Sequence, residues 1–107
     1  MEDSPPRPGW TFLTNHARVL AAIARDPGTR VRDIAARCLL TERAVQKIIA
    51  DLEDAGYLAH TRTGRHNHYT VKDHAPLRHP ADRGPMVADL LAILAIQRRV
   101  DARPETS

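Results

Sequence analysis

A single cysteine, Cys38, is the only thiol in the chain, so an internal disulfide is excluded and a reducing compartment fits. Aromatics are nearly as scarce: Trp10, Phe12, Tyr57 and Tyr69 are the whole set, so a core must be built from Ala, Ile, Leu and Val. Serine occurs only at Ser4 and Ser107, and there is no glycine-rich phosphate loop. Histidine and aspartate are plentiful, but nothing sets a nucleophile beside them. A non-enzyme without a cofactor is therefore expected. No apolar run is long enough to span a bilayer; the longest, near residues 86 to 96, is interrupted by Asp89. No charged-then-apolar leader stands at the N-terminus. These absences predict a soluble, cytoplasmic protein with no membrane partner. Lysine is rare as well, two against fourteen arginines, a bias associated with GC-rich bacterial genomes rather than required by physics.

What remains is enough for one small domain of 107 residues. Hydrophobic residues make up 42% and charged residues 27%, the balance of a globular chain. The net charge of +3 and a pI near 9.6 are compatible with nucleic acid without requiring it. A chain of this size often gains stability by pairing with a second copy.

Residues 1–9 hold three prolines and a glycine and read as a disordered or extended arm. Thr14 is placed to cap a first helix in which His16, Val19, Leu20, Ile23 and Ala24 share one side. Asp26-Pro27-Gly28 stops it. Val31 suggests a single bridge in a short extended segment, before a second helix with Ile34, Ala35 and Cys38 inward. After a tight turn at Leu39 and Leu40, Thr41 caps a third helix whose Val45, Ile48, Ile49 and Leu52 recur at helical spacing. Gly56 ends it. Two short strands follow, joined at Gly64-Arg65. A proline-rich connection, 76–85, leads to a last helix over 86–102. The predicted fold is mainly α with a small β-hairpin: a winged helix-turn-helix domain over residues 10–75 with an added C-terminal dimerisation helix.

A helix fits the major groove of B-DNA, where base edges present distinguishable donors and acceptors. The third helix, 41–55, carries Thr41, Glu42, Arg43, Gln46 and Lys47 near its start, side chains suited to that task. Asp51, Glu53 and Asp54 gather at the far end. The hairpin, 57–71, has no acidic residue between Ala59 and Lys72. Its Arg62, Arg65, His66, Asn67 and His68 suit the phosphate backbone or minor groove. His-x-His at His66 and His68 is the alternative signal: a metal-responsive repressor using these with His60, and with His74 or His79. Zinc, however, wants about four ligands with supporting partners, and no cysteine or carboxylate lies in the hairpin, so no metal site is assigned. A further alternative is a winged helix that binds protein rather than DNA. In the last helix Met86, Val87, Leu90, Leu91 and Leu94 form an apolar face. With Trp10 and Phe12 they are the candidate dimer interface.

The stretch "LLTERAVQKIIADLEDAGYLAHTRTGRHNHYTV", with its T-x-x-x-V-x-x-x-x-x-x-L-x-x-x-G-Y-L pattern followed by G-R-x-N-x-Y, resembles the recognition helix and wing of small bacterial regulators of the MarR/ArsR-like winged-helix group. The resemblance covers about half of the chain. It implies a transcriptional regulator, a repressor by expectation, that binds duplex DNA as a homodimer. Leu39 stands where such turns usually have glycine, which puts the shape of the turn in question. The thiolate-rich motif of the metal-sensing ArsR proteins is absent. The chain is shorter than a typical MarR protein and lacks the long terminal helices that frame its ligand pocket, so no effector site is carried over.

Overall fold

The computed structural model describes residues 8–96. Most of the expected N-terminal arm (residues 1–7) and the end of the last helix expected from the sequence (97–102) lie outside the described residues. Three helices come first: α1 (Asn15–Arg25), α2 (Val31–Cys38) and α3 (Glu42–Asp54). An antiparallel hairpin of β1 (Leu58–Thr63) and β2 (His66–Val71) follows, and the described chain closes with α4 (Val87–Leu94). The cap residues act as their sequence implies. The Thr14 hydroxyl accepts from Ala17 N–H at 3.1 Å and the Thr41 hydroxyl from Ala44 N–H at 3.0 Å, contacts of about 1 kcal/mol each. Val31 does not form a bridge. It is the first residue of α2, since Arg30 already supplies the extended residue before the helix.

The core lies where the three helices and the base of the hairpin meet. Ile23, Ile34, Val19 and Val45 are its fully buried side chains, each contributing about 1.5–3 kcal/mol. On α1 the buried alanine is Ala22 and not Ala24, and His16 stands at the surface. Leu39 adopts the left-handed conformation, φ 59° and ψ 45°. The turn between α2 and α3 is therefore a glycine-type turn made with leucine, closed by Leu40 N–H to Ala35 O at 2.9 Å.

At the other end of α3, Gly56 takes φ 85° and Tyr57 N–H donates to Leu52 O at 2.9 Å. Leu58 and Tyr69 are buried, which seats the hairpin on the helices. Tyr69 N–H also donates to Pro27 O at 2.9 Å, tying β2 to the loop between α1 and α2. The connection 72–86 folds back on the domain: Tyr57 Oη donates to Pro76 O at 2.7 Å, and Val87 N–H to Ala75 O at 2.9 Å. Asp89 accepts from Met86 N–H at 2.8 Å, opening α4. Val87 is 3% exposed, so the start of α4 is buried in the chain's own core. Among the described residues no helix is long and apolar enough to cross a membrane.

Candidate nucleic-acid interface

Burying Val45, Ile48, Ile49 and Leu52 leaves the opposite stripe of α3 to solvent. Glu42, Arg43, Gln46 and Lys47 are all exposed there. Arg43 and Gln46 make no hydrogen bond or ion pair with the described residues, so their donors are available. Thr41 is committed as the cap. Lys47 is not free: its Nζ lies 2.8 Å from Asp51 Oδ1, four residues on. The acidic end of α3 is likewise engaged. Asp51 also meets His16 Nε2 at 2.9 Å, and Glu53 meets His60 Nδ1 at 2.5 Å. The lysine and histidine contacts hold the Asp51 carboxyl below its usual range, and Asp51 in turn raises Lys47.

Pairing in the hairpin sorts the wing residues onto two faces. Directly opposed residues share a face: His60 with Tyr69 and Arg62 with Asn67 on one, Thr61 with His68 and Thr63 with His66 on the other. Tyr69 is buried and Asn67 half-buried, so the first face looks inward. His66 and His68 stand on the outer face. His60 is turned to Glu53 and also meets the Tyr69 ring edge-on, 6.0 Å between centroids. The wing histidines are thus split between the two faces. Among the described residues no group of three or more His, Cys, Asp or Glu could hold a metal ion. Arg62 Nε donates to Gly64 O at 3.1 Å and braces the turn. Arg65, at the tip, makes no hydrogen bond or ion pair with the described residues.

Arg30, Val31, Thr29 and Gly28 face Arg65, His66, Asn67 and Tyr69 across a groove of about 430 Å³. Two arginines from distant parts of the chain thus border one recess beside the start of α2. The Asn67 amide has a buried Oδ1 with no hydrogen-bond partner, a group whose energy improves on gaining one. A second groove, of about 580 Å³ and mostly apolar, lies between α1, the end of α3 and α4, bordered by Phe12, Leu20, Leu52, Tyr57, Leu77 and Leu90 among others. Around it Trp10 and Phe12 stack edge to face at 5.0 Å while remaining 72% and 92% exposed. Met86, Ile93 and Ile96 are also exposed, and Leu90, Leu91 and Leu94 are half-buried. Sequence reasoning left Ile96 out; its place three residues after Ile93 was the available signal. It also placed His16 in the apolar stripe and so missed the link to Asp51. Cys38 is buried; burial pushes its thiol up, while Arg18 and Arg37 pull the other way.

A capped helix held at a fixed angle by a short turn, followed by a hairpin seated on the same core, defines a winged helix-turn-helix protein. Residues 11–66 match the family model described as "MarR family", which is more than half of the chain, and the chain belongs to the MarR family of winged-helix transcriptional regulators. The fold is similar to the crystal structure of the PcaV transcriptional regulator from Streptomyces coelicolor in complex with its natural ligand. The TM-score is 0.52 at 22% identity, over 77% of this chain and 60% of PcaV. The chain therefore spans 60% of the length of that solved relative. Comparison with curated proteins finds no match.

Proposed function

We propose that the chain binds duplex DNA sequence-specifically as a homodimer and represses transcription, with α3 in the major groove and the wing on the backbone or minor groove. The observation that carries this reading is the stripe on α3 where Arg43 and Gln46 stand exposed and unengaged, directly after a capped N-terminus. Arginine matches the O6/N7 edge of guanine and glutamine the N6/N7 edge of adenine. Arg65 and Arg30, on either side of the groove between wing and α2, supply phosphate contacts that set register. His66 and His68, on the outer face of the wing, face the duplex beside Arg65. Arg62 braces the turn that carries Arg65, Asn67 borders the groove, and Thr41 and Glu42 flank the reading stripe. Val87 and Leu91 pack into the chain's own core, which leaves Trp10, Phe12, Met86, Ile93 and Ile96 to supply the dimer seam. The apolar groove beneath them suits a small organic effector, with Arg78 and His79 at its rim to meet an anionic group.

Selection of bound sequences from random duplex DNA tests the reading. Enrichment of an inverted repeat with half-sites about one helical turn apart, ~34 Å, is the expected result. A chain that enriches nothing, yet folds, would belong instead to the class of winged helices that bind protein.

A further inference from the structure

The reading face of α3 is electrically tied to α1. Asp51 gives one carboxylate oxygen to each of two partners: Oδ1 to Lys47 Nζ at 2.8 Å and Oδ2 to His16 Nε2 at 2.9 Å. Lys47 belongs to the outward stripe of α3, while His16 sits in the first turn of α1, 35 residues before Asp51. The recess around this pair is shared with Asp54 and Arg78. Arg78 makes no ion pair with Asp51 among the described residues, so His16 is the partner that competes with Lys47 for the carboxylate.

We propose that His16 is a positioning residue for DNA recognition: by holding Asp51 Oδ2 it lowers the cost for Lys47 to leave Asp51 and reach the duplex. The proposal rests on the reading of α3 as the DNA-contacting helix. An ammonium that contacts DNA must first give up its ion pair. A carboxylate that keeps a second donor loses less when the first departs. Without His16 the whole charge of Asp51 falls on Lys47 and keeps it folded along α3. The three side chains are 46%, 35% and 74% exposed for His16, Asp51 and Lys47. Solvent therefore weakens the coupling, and its size is that of a surface ion pair, about two- to fivefold in affinity.

The test is a mutant cycle on the intact chain, with affinity for a selected duplex measured at one salt concentration. His16→Ala is expected to weaken binding by about two- to fivefold. His16→Gln, whose amide nitrogen reaches a similar position and can donate to the same oxygen, is expected to restore it. In a Lys47→Ala or Asp51→Asn background, His16→Ala is expected to change nothing. Wild-type affinity in His16→Ala, failure of the glutamine to rescue, or a loss that persists unchanged in Lys47→Ala would each overturn the proposal while leaving the DNA-binding reading intact. A wild-type chain that retains no duplex overturns that reading, and this proposal with it.

Discussion

Leu39 carries a backbone conformation that leucine disfavours. A left-handed residue other than glycine costs about 1–2 kcal/mol, and Leu39 sits there at φ 59° while 54% exposed. Replacing it by glycine removes that strain but adds freedom to the unfolded chain, which costs about 0.5–1 kcal/mol. Leu39→Gly is therefore expected to stabilise the fold by about 0.5–1 kcal/mol, or raise Tm by roughly 2–6 °C. A thermal melt by circular dichroism checks it, and a lowered Tm would show that the leucine side chain contributes more than the turn loses. Arg43 is the matching case for function. Its guanidinium is exposed and has no partner among the described residues, so truncation leaves the protein's own packing untouched. Arg43→Ala is expected to cost about 1–3 kcal/mol against the selected site, mostly by relaxing the preference at one base pair. Equal loss on all sequences would make it a phosphate contact instead.

The wing acts as a unit because it is tied at three places. Tyr69 reaches Pro27, His60 reaches Glu53, and Lys72 N–H closes onto Tyr57 O at 2.9 Å. Arg65 at the tip is thus presented on a braced element rather than a loose loop. If it makes one phosphate contact, Arg65→Ala should weaken binding across all sequences and make the slope of log K against log salt shallower by roughly one. Titrations at four or five salt concentrations measure this, and an unchanged slope with unchanged affinity would place the wing off the DNA. The element boundaries of this part were legible in the sequence because each has a local chemical cause. Thr14 and Thr41 are caps with hydroxyls, Gly56 and Gly64 take positive φ, and the inward stripe of α3 follows the helical period. What the sequence did not carry was long-range. No local pattern says that His16 meets a carboxylate 35 residues away, that Arg30 faces Arg65 across a groove, or that Val31 opens a helix once Arg30 takes the extended position. Lys47 looked available from spacing alone; only the geometry pairs it with Asp51.

At the scale of the molecule the unresolved force is the apolar surface around α4. The sequence reading put Val87, Leu90, Leu91 and Leu94 in a dimer seam together. The fold divides them. Val87 is buried in the chain's own core and Leu91 packs against it, while Arg25 holds the Leu94 carbonyl at 3.3 Å, so part of α4 is already covered by α1. Left outward are Trp10, Phe12, Met86, Ile93 and Ile96, each at least 39% exposed. These side chains are the surface that the proposed dimer would have to cover. A two-fold pairing would cover it while spacing two α3 helices for two half-sites. The choice of variant follows from the same division. Leu91→Glu would set a charge against the chain's own core and risk unfolding it, so its effect on assembly could not be separated from stability. Ile93, 64% exposed, has no such role. Ile93→Glu is expected to leave the melt of the domain within about 0.5 kcal/mol, as for an exposed site. It should nonetheless shift sedimentation from dimer to monomer at micromolar concentration. Affinity for the full inverted repeat should then fall toward that for a single half-site. A wild-type chain that sediments as monomer under the same conditions would remove the dimer. A folded Ile93→Glu variant that still dimerises would move the seam to another face.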